Sequence, residues 1–412
     1  MATASNRSFA ALHDRNYRGF FTGAMCMSAA DSCEHVISYW VLFQKFHSPM
    51  LAGFAVVSHW IPFLLLSVFA GALADRFNPR RIAQIGLVLF MLVSLCWSVL
   101  FYTDTLQVWH AVVLLIVHGL SGVLWAPPTQ VLIHDIVSPE LLPSAVRLNA
   151  SARYLGLLAG PAVGAGLMLA LGPTYGIALN ALLYVPAIIW LQVAPLRGRG
   201  PAVAKTAGPV GGLNDIIRTA RDVRGIPILV SMIVLGGAAS FFIGNAYQAQ
   251  MPSFADDLGH READFSYSAL LVSDAVGALF ATIVLESRGL LSPHPRTAFL
   301  LAMLWCLALA GFALTQFYPL ELLLLFIAGF VELSFSAMVQ TLVQLNAPAE
   351  IRGRVLGLFT MAALGLRTFS GLTVGFVGGW IGARNALAAS AVALLCVIAT
   401  VLVRTERRLQ AR

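Results

Sequence analysis

Two carboxylates and a histidine share one apolar run near the start of the chain and could move protons. Asp31, Glu34 and His35 fall on the same face of a helix, with Ser38 one turn further on. Two carboxylates one helical turn apart repel each other, so one of them should hold a proton near neutral pH. The pair is therefore predicted to carry protons. In the alternative, Asp31 lies near a surface and Glu34 bonds a neighbouring helix.

Other apolar runs contain a second set of ionisable groups. Asp274 and Glu332 are the further candidates for proton coupling, and Arg153 and Arg367 could neutralise carboxylates in one conformation and release them in another. A polar cavity would explain why these groups recur along the chain, whereas His59 and His110 are interpreted as structural or surface residues. The remaining side chains predicted to line such a cavity, together with His35, are Trp60, His118, Trp125, Asn149, Phe241, Asn245, Gln248, Phe335 and Gln340.

The composition is that of an integral membrane protein. Of the 412 residues, 58% are hydrophobic and 11% are charged, against roughly 25% charged in soluble domains. A charged side chain at the centre of a bilayer costs about 2.5–3.5 kcal/mol on insertion scales, so the acidic groups should face water or a partner. The first residues contain arginines and no compact apolar block, which argues against a cleaved signal peptide.

Several other classes of function find no support in the sequence. The five cysteines lie inside apolar runs without paired spacing, and neither a metal-binding motif nor a phosphate-binding loop occurs. We therefore expect no metal, no cofactor and no enzymatic activity. The net charge of +7 is explained by arginines gathered at one membrane face, so we expect no nucleic-acid partner. The expected partners are a small-molecule substrate, protons and the lipid bilayer, and the chain is expected to act as a monomer.

The apolar runs predict an all-α protein with twelve transmembrane helices, since about 20 apolar residues cross a bilayer. The predicted spans are 19–44, 51–74, 82–102, 107–133, 144–171, 175–195, 226–251, 266–286, 297–317, 320–345, 354–381 and 384–403. Nearly all of the 26 Lys and Arg residues fall on one side of this arrangement. The exceptions are Lys45, Arg261 and Arg384 on the other side and Arg153 and Arg367 within spans. The positive-inside rule then places both termini in the cytoplasm.

The spans divide into two pseudo-symmetric six-helix bundles. The first bundle is predicted at 1–195, a cytoplasmic linker with a short amphipathic helix at 196–225, and the second bundle at 226–412. Glycines four residues apart allow close helix packing and recur in corresponding spans of the two halves. They are Gly156, Gly160 and Gly164, with Pro161 beside them, and then Gly371 and Gly375.

The connection between the second and third spans carries a charged motif. Its sequence, Gly71-Ala-Leu-Ala-Asp75-Arg76-Phe-Asn-Pro-Arg80-Arg81, resembles the corresponding loop of the major facilitator superfamily of transporters. The resemblance implies that Asp75 holds a cytoplasmic gate closed by contacting the start of the eleventh span, where Arg352 and Arg354 lie. The basic residues alone would also fit a plain anchor at the cytoplasmic membrane face.

The whole chain resembles the exporter branch that includes siderophore (enterobactin-type) exporters and macrolide-efflux pumps. This resemblance is carried by residues in both halves, namely Pro62, Asp75, Asn149, Gly160-Pro161 and Glu350-Ile-Arg-Gly-Arg354. It implies a proton-coupled efflux transporter (an antiporter) of the inner membrane, acting on an amphipathic drug or siderophore by alternating access. The alternative is an importer or facilitator of an organic anion or metabolite on the same fold, and a non-transporting receptor is the third possibility.

Overall fold

A computed structural model describes residues 9–47, 49–195, 212–244, 246–249, 251, 254, 265–288, 292–370, 373–374 and 377–410, and their regular structure is helical. Seven of the described helices are long and apolar enough to cross a membrane, and one of these, Leu142–Val193, covers two predicted spans. The other four predicted spans are occupied by helices that are more polar, shorter or segmented. The prediction of an all-α membrane protein with twelve spans is confirmed.

The first six spans follow the predicted order. The helices are α1 (Arg15–Phe46), α2 (Pro49–Arg76), α3 (Pro79–Tyr102), α4 (Val108–Ile136), α5 (Leu142–Asn180) and, after a 3-10 turn at Ala181–Tyr184, α6 (Val185–Val193). At the start of α3 the side chain of Asn78 accepts a hydrogen bond from the amide of Arg80 at 3.0 Å, with Pro79 at the first helical position. Gly172 interrupts α5 with a φ of 74°, within the predicted turn between the fifth and sixth spans.

The second half of the chain begins with a surface helix, and two of its predicted spans are interrupted. Its helices are α7 (Gly212–Val223), α8 (Pro227–Phe242), α9 (Ala246–Ala249), α10 (Phe265–Arg288), α11 (Pro295–Leu314), α12 (Tyr318–Asn346), α13 (Arg352–Thr360), α14 (Arg367–Ser370), α15 (Val377–Ile381) and α16 (Ala383–Gln410). The seventh span was expected as one helix, but α8 ends before Gly244, whose φ is 47°. The eleventh span was also expected as one helix, and its α-helical bonding is interrupted by a π-helical turn at Met361–Gly365.

The helices form two compact units by their internal contacts. The described residues of Ala10–Asp215 form one unit, which we call the first unit, and Pro348–Gly357 packs with it. The second unit contains Phe9 and the described residues of Ile216–Ala347 and Leu358–Arg412. The start of α13 thus belongs by contact to the first unit, although the chain reaches it only after α12.

The α1–α5 pair holds the first unit together through its glycines. A Cβ placed on Gly160 would lie 2.4 Å from the Cβ of Ser32, and one on Gly156 would lie 2.4 Å from the Cβ of Ser28. A methyl group at either position would overlap α1, so these glycines allow the two helices to approach each other closely. Gly164 continues the same contact along α1, whereas Gly371 and Gly375 lie outside the described residues.

Candidate functional site

In the first unit, α4 brings a histidine between the two predicted proton carriers of α1. His118 lies with Nε2 2.9 Å from Oδ1 of Asp31 and with Nδ1 2.8 Å from Oε1 of Glu34. The other carboxylate oxygen of Glu34 accepts a hydrogen bond from the hydroxyl of Ser94 on α3. His118 and Glu34 are both buried. The sequence predicted Asp31 and Glu34 as a mutually repelling pair, but in the structure they bind opposite edges of one imidazole.

Two further histidines, His35 and His59, lie next to His118. The ring centroids of His35 and His118 are 4.8 Å apart, those of His35 and His59 are 4.8 Å apart, and those of His59 and His118 are 5.6 Å apart. His59 was interpreted from the sequence as a structural or surface residue. In the structure it is part of a cluster with Asp31, His35 and His118.

The second unit contains a different carboxylate pair. The hydroxyl of Tyr247 lies 3.2 Å from both carboxylate oxygens of Asp274 and 3.3 Å from Oε2 of Glu332. The amide of Gln248 donates to Oδ2 of Asp274 at 2.9 Å. Asp274 is 3% exposed and Glu332 is 7% exposed, and neither forms an ion pair with another described residue. A single phenol therefore connects two buried carboxylates from α10 and α12.

A small, partly open cavity of about 30 Å³ adjoins this pair in the second unit. It is lined by Phe335 and Arg367, two residues predicted for a substrate cavity, and by Glu332, a predicted proton carrier. Trp305 stacks on Phe335 with a centroid separation of 6.1 Å. The other lining residues are Gly236, Ala239, Ser240, Gly244, Ser336, Val339, Phe359 and Ala363. The cavity thus combines an aromatic wall with an acidic and a basic group.

The remaining predicted cavity residues are dispersed. Arg153 is exposed, and its guanidinium lies 5.8 Å from the ring of Tyr154. Asp31 and Glu34 pair with His118 rather than with this arginine. Phe241 is 36% exposed and packs on Phe242 and Phe369. Trp60, Trp125, Asn149 and Gln340 are half-buried within their helices. Asn245 lies outside the described residues.

Asp75 makes the contact that the resemblance implied. Its Oδ1 accepts from the amide of Gly353 at 2.6 Å and its Oδ2 accepts from the amide of Arg354 at 2.9 Å. These amides begin α13, where free N–H groups and the helix dipole favour an anion. A Cβ on Gly71 would lie 2.0 Å from the carbonyl oxygen of Gly353, so α2 and α13 meet backbone to backbone.

The basic residues that surround this contact have other partners. Arg80 donates to the backbone carbonyls of Gln192 and Ala194 at the end of α6, and Arg81 reaches the side chain of Gln192 at 3.4 Å. Both were predicted as gate residues. In the structure they connect α3 to α6, because the free carbonyls at a helix C-terminus attract cations. The guanidinium of Arg76 lies 5.6 Å from the ring of Phe77, and Arg352 and Arg354 lie at the start of α13.

The sequence did not indicate several residues that organise the two clusters. Tyr247 could have been found from the sequence, since it immediately precedes Gln248, a predicted cavity residue, and follows Gly244 in the same span. Ser94, Asn180 and Trp305 had none, because a serine, an asparagine or a tryptophan in an apolar run is common. Asn180 donates to the carbonyl of Ala30 at 3.1 Å and to the hydroxyl of Ser94 at 3.4 Å, which extends the network around Glu34.

The chain belongs to the Major Facilitator Superfamily, whose family model matches residues 20–366. Its fold is the transporter fold of that family, with twelve membrane helices in two six-helix bundles.

Curated relatives resemble the chain over most of its length. The multidrug efflux pump Tap of Mycolicibacterium fortuitum is 24% identical over 345 residues, covering 81% of this chain and 82% of Tap. The enterobactin exporter EntS of Shigella boydii is 25% identical over 326 residues, covering 76% of this chain and 73% of EntS. Among solved structures, the human organic anion transporter MFSD10 (TETRAN) has a TM-score of 0.76 at 13% identity, covering 94% of this chain and 99% of that one.

Proposed function

We propose that the protein exports an amphipathic small molecule from the cytoplasm in exchange for protons. The observation that carries this proposal is the shared contact of Asp274 and Glu332 with the hydroxyl of Tyr247. Two adjacent anions away from water repel strongly, and a phenol has one proton to donate. On this proposal one carboxylate of the pair holds a proton of its own, which can be released and taken up again during transport.

The position of Glu332 connects this proton to a substrate. Glu332 belongs both to the carboxylate pair and to the lining of the cavity, where Trp305 and Phe335 offer an aromatic face. A molecule with an apolar body and a polar or cationic group would suit this lining, since aromatic faces bind apolar surface and cations while a carboxylate binds the polar group. Substrate and proton would then compete for one side chain, which is the simplest basis for antiport.

The Asp75 contact supports a cycle of alternating access. Two charge-assisted hydrogen bonds join α2 to the start of α13, and such bonds contribute about 1.5–3 kcal/mol each. A contact of this strength can hold a conformation and can still be broken during a transport cycle. We infer that it serves as a cytoplasmic latch, which closes when Asp75 caps α13.

The relatives support the proposed direction of transport and the proposed location. Tap is named as a multidrug efflux pump and EntS as an enterobactin exporter, which favours export over uptake. Since these relatives are bacterial, we place the protein in the cytoplasmic (inner) membrane. The positive-inside pattern supports cytoplasmic termini, and we propose a monomer with a bundle at 1–195, a linker at 196–225 and a bundle at 226–412.

Everted membrane vesicles with an imposed proton gradient would test this function. The probes are tetracycline, erythromycin and enterobactin, each measured for gradient-dependent accumulation against vesicles that lack the protein. We expect at least one probe to be accumulated, and we expect Glu332→Gln and Asp274→Asn to abolish the dependence on the gradient. Glu406→Gln, which alters an exposed ion pair with Arg296, serves as the control and should transport normally. Wild-type accumulation by both carboxylate variants would remove the proton-coupling claim.

A second function has one observation in its favour. Arg367 lines the same cavity, and the structurally similar MFSD10 is named as an organic anion transporter. On this alternative the guanidinium binds an anionic group of the substrate directly. Uptake of an organic anion such as benzoate that is lost in Arg367→Gln and retained in Glu332→Gln would favour the alternative over antiport.

A further inference from the structure

We propose that Asp31, His35, His59 and His118 form a binding site for one divalent transition-metal ion of the zinc class. One candidate ligand atom from each of the four residues lies within 4.8 Å of all the others. Two of the residues come from α1, one from α2 and one from α4, so a bound ion would connect three helices of the first unit. This site lies apart from the carboxylate pair and cavity of the second unit, and it goes beyond the proposed export function.

The ligand set selects the class of metal. Three imidazoles and one carboxylate are ligands that Zn²⁺, Co²⁺ and Ni²⁺ accept, whereas Mg²⁺ and Ca²⁺ prefer sites made of oxygen atoms. Bonds of about 2.0–2.2 Å in a tetrahedron place the ligand atoms about 3.4 Å apart. The widest pair would therefore have to close from 4.8 Å by about 1.4 Å, a distance that rotations of the side chains can supply.

One histidine of the cluster has a buried nitrogen that the described protein does not satisfy. The Nε2 atom of His35 is buried and has no hydrogen-bond partner among the described residues. The ring of His35 lies 4.8 Å from that of His118 and 4.8 Å from that of His59. Buried polar atoms in native proteins nearly always have a partner, and an orphaned one calls for an explanation. A metal ion held by the three rings supplies that partner.

The surroundings of His118 are those expected of a metal-binding histidine, because a carboxylate contacts one of its two ring nitrogens. Its Nδ1 atom lies 2.8 Å from the buried carboxylate of Glu34, which Ser94 holds from the other side. Metal-bound histidines commonly donate their second N–H to a carboxylate, which orients the ring and directs the free nitrogen at the metal. In His118 the nitrogen left for the metal is Nε2, which lies 2.9 Å from Asp31, the carboxylate of the proposed ligand set. Together Asp31 and Glu34 would also balance the two positive charges of the ion.

Metal titration of the purified protein tests this site without reference to transport. The full chain, without a polyhistidine tag and treated with a chelator, is titrated with Zn²⁺ by calorimetry and with Co²⁺ by visible absorption. We expect one ion per chain, an absorption spectrum typical of tetrahedral Co²⁺, and an X-ray absorption spectrum of the zinc form that shows several imidazole ligands. The single variants His35→Gln and His59→Gln should each weaken binding at least about 100-fold.

A matched control and a positioning variant sharpen the result. His134 lies on the same helix as His118, about 24 Å further along at 1.5 Å per residue, and His134→Gln should bind metal like the wild type. Glu34→Gln keeps an acceptor for Nδ1 but loses the charge, so it should weaken binding about 10–100-fold while the number of imidazole ligands stays the same. Melting curves without metal show whether each variant is folded.

The proposal is overturned by any of three results. The first is an absence of stoichiometric Zn²⁺ binding by the wild type. The second is binding that is unchanged in folded His35→Gln and His59→Gln. The third is an X-ray absorption spectrum of the wild-type zinc form without imidazole ligands, a result that stands even if the variants fail to fold. A loss of drug accumulation in vesicles would not bear on it, so the two proposals fail separately.

Discussion

At the scale of single residues, the carboxylates within the helices have different partners in the two units. Asp31 and Glu34 bind the two ring nitrogens of His118, so their charges have a potential cationic partner. Asp274 and Glu332 share the neutral hydroxyl of Tyr247. Since a buried charge is tolerated when it is paired and is otherwise removed by protonation, the second pair is the better candidate for carrying a transported proton.

Removal of the shared hydroxyl tests this difference. In Tyr247→Phe the two carboxylates lose the donor that lies between them, and hydrogen bonds to charged groups contribute about 1.5–3 kcal/mol. We expect proton-driven accumulation of the transported probe to fall by about tenfold or more. Tyr175→Phe, which alters an exposed tyrosine of the first unit, is the control, and equal rates in the two variants would contradict a role for the bridge.

The contact of Asp75 allows a second prediction at this scale. Ser67 is fully buried and its carbonyl oxygen would lie 2.3 Å from a Cβ on Gly357, so a cysteine at position 67 is covered while α2 and α13 are in contact. Asp75→Asn removes a negative charge from the start of α13 and should weaken the contact. We expect maleimide to label Ser67→Cys severalfold faster when Asp75→Asn is also present.

The control for the labelling experiment combines Ser67→Cys with Asp104→Asn. Asp104 forms an exposed pair with Lys45 at 2.5 Å, remote in sequence from α13, and its replacement should leave the labelling rate unchanged. If Asp75→Asn also left the rate unchanged, Asp75 would not be a latch.

How far the sequence predicts these residues depends on whether their partners are local. Asp31 and His35 are detectable because they share one helix face, and Asp75 because its motif is contiguous. The partners of His118, His59 and Tyr247 lie on other helices, and nothing in a single sequence reports that proximity. The same reason explains why no metal-binding motif was found, since the proposed ligands come from three helices.

At the scale of elements, the glycines of α5 determine how closely it packs on α1. Gly160→Ala would place a methyl group 2.4 Å from the Cβ of Ser32, whereas a Cβ on Gly166 meets nothing within 4 Å. The glycine spacing in α5 was predictable from the sequence. The φ values that break the later helices were not, because glycine residues such as Gly244 and Gly237 look alike in sequence and only one of them has a positive φ.

Gly160 and Gly166 form a matched pair for a stability measurement. We expect Gly160→Ala to destabilise the protein by about 1–3 kcal/mol, the usual cost of overpacking. Gly166→Ala should be neutral or stabilise it by up to about 1 kcal/mol, because alanine favours a helix over glycine. Thermal unfolding of the purified variants measures both. Equal melting temperatures would show that the α1–α5 contact is looser than the structure indicates.

A buried ion pair makes a further prediction for the second unit. Arg384 at the start of α16 lies 2.8 Å from Glu321 of α12, with 11% and 0% of the side chains exposed. Removing one partner leaves the other charge buried, which costs about 3–5 kcal/mol, so Glu321→Gln should lower the melting temperature markedly. Glu406→Gln breaks the exposed pair with Arg296 and should cost about 0–1 kcal/mol. Similar shifts in the two variants would contradict the burial of the first pair.

At the scale of the whole molecule, composition and charge pattern were sufficient to predict a helical membrane protein, because the bilayer restricts the possible structures so strongly. The prediction of a transporter came from the resemblance of the charged loop and other motifs to a known family. Substrate class and coupling depend on a cavity whose lining comes from α8, α11, α12, the end of α13 and the chain that follows it. No single span contains this cavity. The account as a whole therefore depends on whether Glu332 exchanges a proton for substrate.

Proton release on substrate binding is the most direct measurement of this exchange. The purified protein in weakly buffered detergent solution receives the probe that vesicles export, and a pH indicator records the change. The account predicts that the wild type releases protons as the probe binds, and that a protein carrying both Asp274→Asn and Glu332→Gln releases none. Saturating probe binding to the wild type without any proton release would contradict the account.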